Sequence, residues 1–145
     1  MQPFPHRYFA SSVGESSDST TISSPGLDDI ETHTTPEFDG PEGHWSPETM
    51  LVAAVANCFI LTWRSVANHN KVEWHDMQVD AEGVLDRVDR VTRFTEVHLK
   101  VRVIVPAGTD HAQIEKLLEK AEGACLVSNS LNSKITMQTE VCDAD

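Results

Sequence analysis

Basic side chains are scarce in this chain: 11 Lys+Arg stand against 23 Asp+Glu, a formal charge of −12 over 145 residues. So acidic a chain repels a phosphate backbone at long range, which argues against sequence-independent nucleic-acid binding and attraction to an anionic lipid surface. Small molecules and protein partners remain. Cysteine is sparse too. Cys58, Cys125 and Cys142 form neither a C-x-x-C pair nor a four-ligand set, so a disulfide-dense scaffold and a structural zinc site are both disfavoured. Long apolar runs are missing: the longest, Met50 to Leu61, is about 12 residues and is broken by Asn57, short of the ~20 that span a bilayer. Met1 to Gly14 holds no apolar stretch of the secretory-signal kind, and the expected location is cytoplasmic. With 6% aromatic and 39% apolar residues, one domain over 1–145 has a thin core, a shortage that a partner subunit relieves.

What the sequence does contain is a change of period along its length. Ser11 to Gly43 is rich in Ser, Thr, Gly, Pro and acids, and reads as one or two short edge strands, near Thr20 to Ile22 and Ile30 to Thr34, with turns at Pro25-Gly26 and Asp39-Gly40. Residues 1–34 are thus N-terminal strands and turns. Ser46-Pro47 supplies an N-cap followed by Pro at the first helical position. The helix that follows, from Pro47 to about Asn68, is apolar nearly all round, through Met50, Leu51, Val52, Val55, Phe59, Ile60, Leu61 and Trp63. Such a helix must be covered on every side, in the middle of the fold or across a subunit interface.

The period then becomes two, from Val72 to Leu85 and from Arg90 to Val105, with Asp86-Arg87-Val88-Asp89 as the hairpin turn between them. Val97, Leu99, Val101, Val103 and Val105 alternate with polar residues, the pattern of a half-buried strand. Thr109 or Asp110 caps a second helix whose stripe, Ile114, Leu117, Leu118 and Ala121, ends at Cys125. A last strand runs from Lys134 to Val141. The expected class is α+β.

Two cysteines therefore fall on apolar helical faces, where an unpaired thiol most often serves as a small hydrophobe. His44, His69, His75, His98 and His111 are scattered, with no i, i+4 pair, and read as solvated; no metal is expected. Cys142 reads as incidental. Trp45, Trp63 and Trp74 read as core or interface anchors, with Trp45 placed to wall a pocket.

The text around the two cysteines carries more. Ser46-Pro47-Glu48-Thr49-Met50-Leu51-Val52-Ala53-Ala54-Val55-Ala56-Asn57-Cys58-Phe59 resembles the first cysteine segment of the OsmC/Ohr family of thiol-dependent peroxidases, the organic hydroperoxide resistance type. Lys120 to Leu131, with Cys125 inside it, resembles the second. The resemblance implies an OsmC-like α+β fold, two central helices packed on antiparallel β-sheet in an intertwined homodimer. It implies that Cys58 is the peroxidatic thiolate and Cys125 the resolving thiol in reduction of an organic hydroperoxide. An external dithiol, with a lipoyl-bearing protein as candidate, would close the cycle without metal or organic cofactor. A catalytically weak redox sensor or binder of a hydrophobic small molecule is the alternative.

Glu48 matches the glutamate that, in this family, orients an arginine beside the thiolate; by itself it is a first-turn acid that favours a helix N-terminus. Ten residues of straight helix separate Glu48 and Cys58 by about 15 Å. Either the helix breaks, or Glu48 of one chain serves Cys58 of another. The family's arginine lies in the turn after the first strand, and the corresponding Val13-Gly14-Glu15-Ser16-Ser17-Asp18 has two acids and no base. Without a cation Cys58 stays largely protonated unless a backbone dipole or a partner-chain residue substitutes.

Overall fold

The computed structural model describes residues 2–145 and divides into two compact units, one up to Met50 and one from Leu51 to Asp145. The first unit is a three-stranded antiparallel meander, β1 (Ser11–Gly14), β2 (Thr20–Ser23) and β3 (Ile30–Thr32). Hydroxyl pairs staple it across the strands, Ser11 to Ser23 at 2.9 Å and Thr20 to Thr32 at 2.8 Å. β1 is the strand the sequence did not announce: its only large apolar residue, Val13, is exposed, so it leaves no alternation to read. After a 3₁₀ turn at Pro36–Phe38 the chain returns beside β3, where Thr32 and Trp45 form a parallel bridge. Ser46 then opens a helix by reciprocal capping: its Oγ accepts from the Thr49 N–H (3.2 Å) while Thr49 Oγ1 accepts from the Ser46 N–H (2.9 Å).

That helix, α1 (Pro47–Asn70), is unbroken. By length and composition alone it is long enough to cross a bilayer, because Asn57 interrupts the apolar run and not the helix. Its fully buried residues are Val55, Phe59, Trp63, Val66 and Ala67, a single stripe at helical spacing. The rest of its apolar surface is only partly covered within one chain, and Leu61 is half exposed.

The stripe packs with a three-stranded sheet of order β4-β5-β6 into one core cluster. β4 (Asp76–Val88) and β5 (Val91–Val105) are an antiparallel hairpin. Its turn lies later than the acidic Asp86–Asp89 run suggested. Asp89 and Arg90 both take positive φ, 52° and 67°, the handedness a two-residue loop needs to match strand twist, and Asp86 to Val88 stay in the strand. Val97, Leu99, Val101, Val103 and Val105 are buried as the alternation predicts. β6 (Lys134–Asp143) joins β5 in parallel, from Glu96↔Lys134 to Val105↔Asp143, because α2 (His111–Gly123) carries the chain back before it pairs. The sheet is therefore mixed. Asp110 is the cap of α2, its carboxylate accepting from Ala112 N at 3.0 Å.

Candidate active site: a thiol pair over a backbone turn

The helix period sets Cys58 one residue before Phe59, at the edge of the buried stripe, so its sulfur is half-buried while its neighbour is in the core. One turn on, Thr62 Oγ1 lies 3.9 Å from the Cys58 sulfur, the i, i+4 neighbour on the same face. Cys125 comes from a different local structure than its sequence suggested. α2 ends at Gly123 and Cys125 lies beyond it, fully buried, in the turn that leads to a 3₁₀ segment at Ser128–Ser130. Asn129 Nδ2 donates to Gly123 O (3.0 Å), the carbonyl that a continued helix would offer to the Val127 N–H, and the Cys125 N–H takes Glu122 O (3.0 Å), which it would offer to Leu126.

With those two carbonyls taken, the successive N–H groups of Leu126 and Val127 are free to face an anion. Burial raises the Cys58 pKa, but hydrogen bonds from the Val127 N–H, the Cys125 thiol, the Thr62 hydroxyl and the Leu126 N–H outweigh it, and the net shift is downward. Cys125 moves the other way: burial and the neighbouring Cys58 sulfur push its thiol up, against the opposing pull of Ser128. The Ser128 hydroxyl is buried with no oxygen or nitrogen partner among the described residues. The two thiols are thus differentiated, one biased to thiolate and its neighbour to thiol, and both are free.

None of the groups that lower the Cys58 pKa is a cation. Backbone N–H groups take the part that a basic side chain would otherwise play. Thr62, Leu126, Val127 and Ser128 were not singled out from the sequence. Thr62 could have been found by its spacing from Cys58, whereas a backbone donor leaves no residue signature. Glu48 is not brought to Cys58 within the chain, since α1 is continuous between them and rises about 15 Å over ten residues. Its Oε2 is nevertheless buried without a hydrogen-bond partner among the described residues. Cys142, on β6, is not part of the pair; it lies beside the Arg102 guanidinium, whose pKa it raises.

An α+β scaffold thus sets two free, unequal thiols at the junction of a long helix and a post-helical turn. Residues 40–140 match the family model described as OsmC-like protein, and the chain belongs to that family. It is 30% identical over 104 residues to the peroxiredoxin OsmC of Escherichia coli, covering 72% of this chain and 71% of that protein. It is 28% identical over 107 residues to the uncharacterised YmaD of Bacillus subtilis, with coverage of 72% and 71%. Among solved structures, an OsmC-like protein of unknown function from Vibrio cholerae superposes with a TM-score of 0.85 at 20% identity, over 94% of this chain and all of the other. The organic hydroperoxide resistance protein OhrB of Bacillus subtilis gives 0.69 at 19% identity, over 94% and 98%. The fold is OsmC-like and the family includes peroxiredoxins.

Proposed function

We propose that this protein reduces organic hydroperoxides through a Cys58/Cys125 cycle. The observation that carries the reading is a half-buried Cys58, its sulfur 3.9 Å from Thr62 Oγ1 and its pKa held down, beside a buried Cys125 whose thiol is pushed up. In the first step the Cys58 thiolate attacks the distal oxygen of ROOH; the O–O bond breaks, the sulfur becomes a sulfenic acid and ROH leaves after protonation. In the second, the Cys125 sulfur displaces hydroxide from the sulfenic acid, giving a disulfide and water. An external dithiol then transfers two electrons and two protons to the disulfide, restoring both thiols and leaving as its own cyclic disulfide. A lipoyl-bearing protein supplies a dithiol of this kind. Three free cysteines agree with a reducing compartment, and the reading takes the cytoplasm as its location.

The same reading uses a homodimer. Two observations support it: α1 offers apolar surface that one chain fully covers only along a stripe, and the Glu48 carboxylate has a buried oxygen without a donor among the described residues. Glu48 of one copy would then stand by the thiol pair of the other.

The test is steady-state consumption of cumene hydroperoxide with dihydrolipoamide as reductant. Many turnovers per protein are expected, Cys58→Ser should fall to background, and Cys125→Ser should be oxidised once without cycling. If Cys58→Ser consumed peroxide as fast as the parent, the reading would be dropped. A slower role as an oxidant sensor is favoured by the lack of a cation beside Cys58; it predicts one equivalent consumed and no cycling.

A further inference from the structure

A second constellation lies in the N-terminal unit, where one ligand atom each of Glu31, His33 and His44 lies within 4.8 Å of the other two. Backbone geometry places them. Thr32 and Trp45 are bridge partners, so the alternation of extended chain sends those two side chains to one face and Glu31, His33 and His44 to the other. The His33 N–H donates to Trp45 O at 2.8 Å, which locks the register of the two segments.

The loop between them is tied down as well. Thr35 O accepts from both Phe38 N and Gly40 N at 2.9 Å, and a side chain at position 40 would run into the Thr34 carbonyl. Gly43, at φ 83°, then turns the chain so that His44 returns over His33, their ring centroids 4.1 Å apart. His33 Nε2 already lies 3.6 Å from Glu31 Oε1, with the His33 side chain 16% exposed. Ligand atoms of a tetrahedral zinc ion with bonds of ~2.1 Å stand about 3.4 Å apart. Small rotations of exposed side chains close the remaining gap.

We infer that Glu31, His33 and His44 form a binding site for a divalent transition-metal ion, with zinc as the best-fitting member. Two imidazoles and one carboxylate suit a borderline cation and not calcium or magnesium, which take all-oxygen shells. Three protein ligands leave a fourth position for water or an external ligand. The ion would clamp β3 to the segment that leads into the Ser46 cap. Sequence spacing hid the site because its ligands sit at i, i+2 and i+13 on two separate segments, outside any helical metal pattern.

The thiols would compete for zinc, so the calorimetric titration of ZnCl2 uses the full chain with Cys58, Cys125 and Cys142 replaced by serine. One equivalent should bind, and His33→Gln and His44→Gln should each weaken binding at least ~10-fold, the minimum seen even for groups that only support a ligand. The unmodified reduced chain loaded with Co²⁺ provides a measurement free of the cysteine substitutions. Visible d–d absorption without sulfur-to-cobalt charge transfer, lost in His44→Gln, supports the site. Absence of stoichiometric binding up to millimolar zinc in the cysteine-free chain, or affinity unchanged in both histidine variants, would overturn it.

Discussion

A thiolate needs compensation, and at Cys58 that compensation comes from neutral donors. The downward shift at Cys58 and the upward shift at Cys125 fix the direction of a pH experiment. Cys58 ionises below the ordinary thiol range, so its thiolate is populated closer to neutral pH, while Cys125 holds its proton beyond that range. Alkylation of the reduced protein at neutral pH should therefore label Cys58 ahead of Cys125. Selectivity should fall as pH rises and Cys125 ionises in turn. Mass spectrometry of iodoacetamide-treated protein across pH checks this; equal labelling at neutral pH would remove the assigned roles. Thr62→Val tests one donor in isolation: it keeps the shape and deletes the hydroxyl that lies 3.9 Å from the sulfur. The Cys58 alkylation midpoint should move to higher pH and the rate at pH 7 should fall a few-fold, with Cys125 unchanged.

At the scale of elements, the approach of β4 to α1 depends on one missing side chain. A Cβ at Gly83 would come within 2.6 Å of Val52 Cγ2 and 2.8 Å of the Phe94 ring, next to the register shift at Val84/Leu85. Gly83→Ala should destabilise the protein by about 1–3 kcal/mol, the usual range for overpacking, read as a lower denaturation midpoint. Asp110→Ala removes the α2 cap and should cost about 1 kcal/mol. These elements also show what the sequence could carry. α1, α2 and the buried alternation of β5 were legible because periodicity is written in side chains, whereas Cys58 and Cys125 were singled out only by the text around them. The turn beyond α2 was not, because its donors are N–H groups that every residue possesses and only tertiary placement aims. The parallel entry of β6 was likewise hidden, since a strand's own pattern does not name its neighbour's direction. The hairpin turn misled for a third reason: acids suggested a loop at Asp86, while the two positive-φ residues of the turn fall at Asp89 and Arg90.

For the whole molecule, charge and apolar surface pull in opposite directions. Each copy carries −12, so two copies repel, and the proposed association draws on the apolar surface that α1 leaves partly uncovered. The proposed homodimer consequently has a signature that charge-driven pairing lacks. Salt screens the repulsion without weakening apolar burial, so the dimer should tighten as ionic strength rises from about 0.01 to 0.15 M, where the Debye length falls from ~30 to ~8 Å. Sedimentation equilibrium should give twice the chain mass of 16.0 kDa, shifting toward the single mass on dilution at low salt. Leu61→Glu, placed on the half-exposed face of α1, should shift the equilibrium to monomer while the far-ultraviolet dichroism stays that of the parent. Because Glu48 and Cys58 are about 15 Å apart along an unbroken helix, the monomer also lacks the carboxylate at its thiol pair. Peroxide turnover per chain should then fall with dissociation, both on dilution of the parent protein and in Leu61→Glu. A monomeric parent, or turnover per chain unaffected by dissociation, would place the whole site in one copy and remove Glu48 from it.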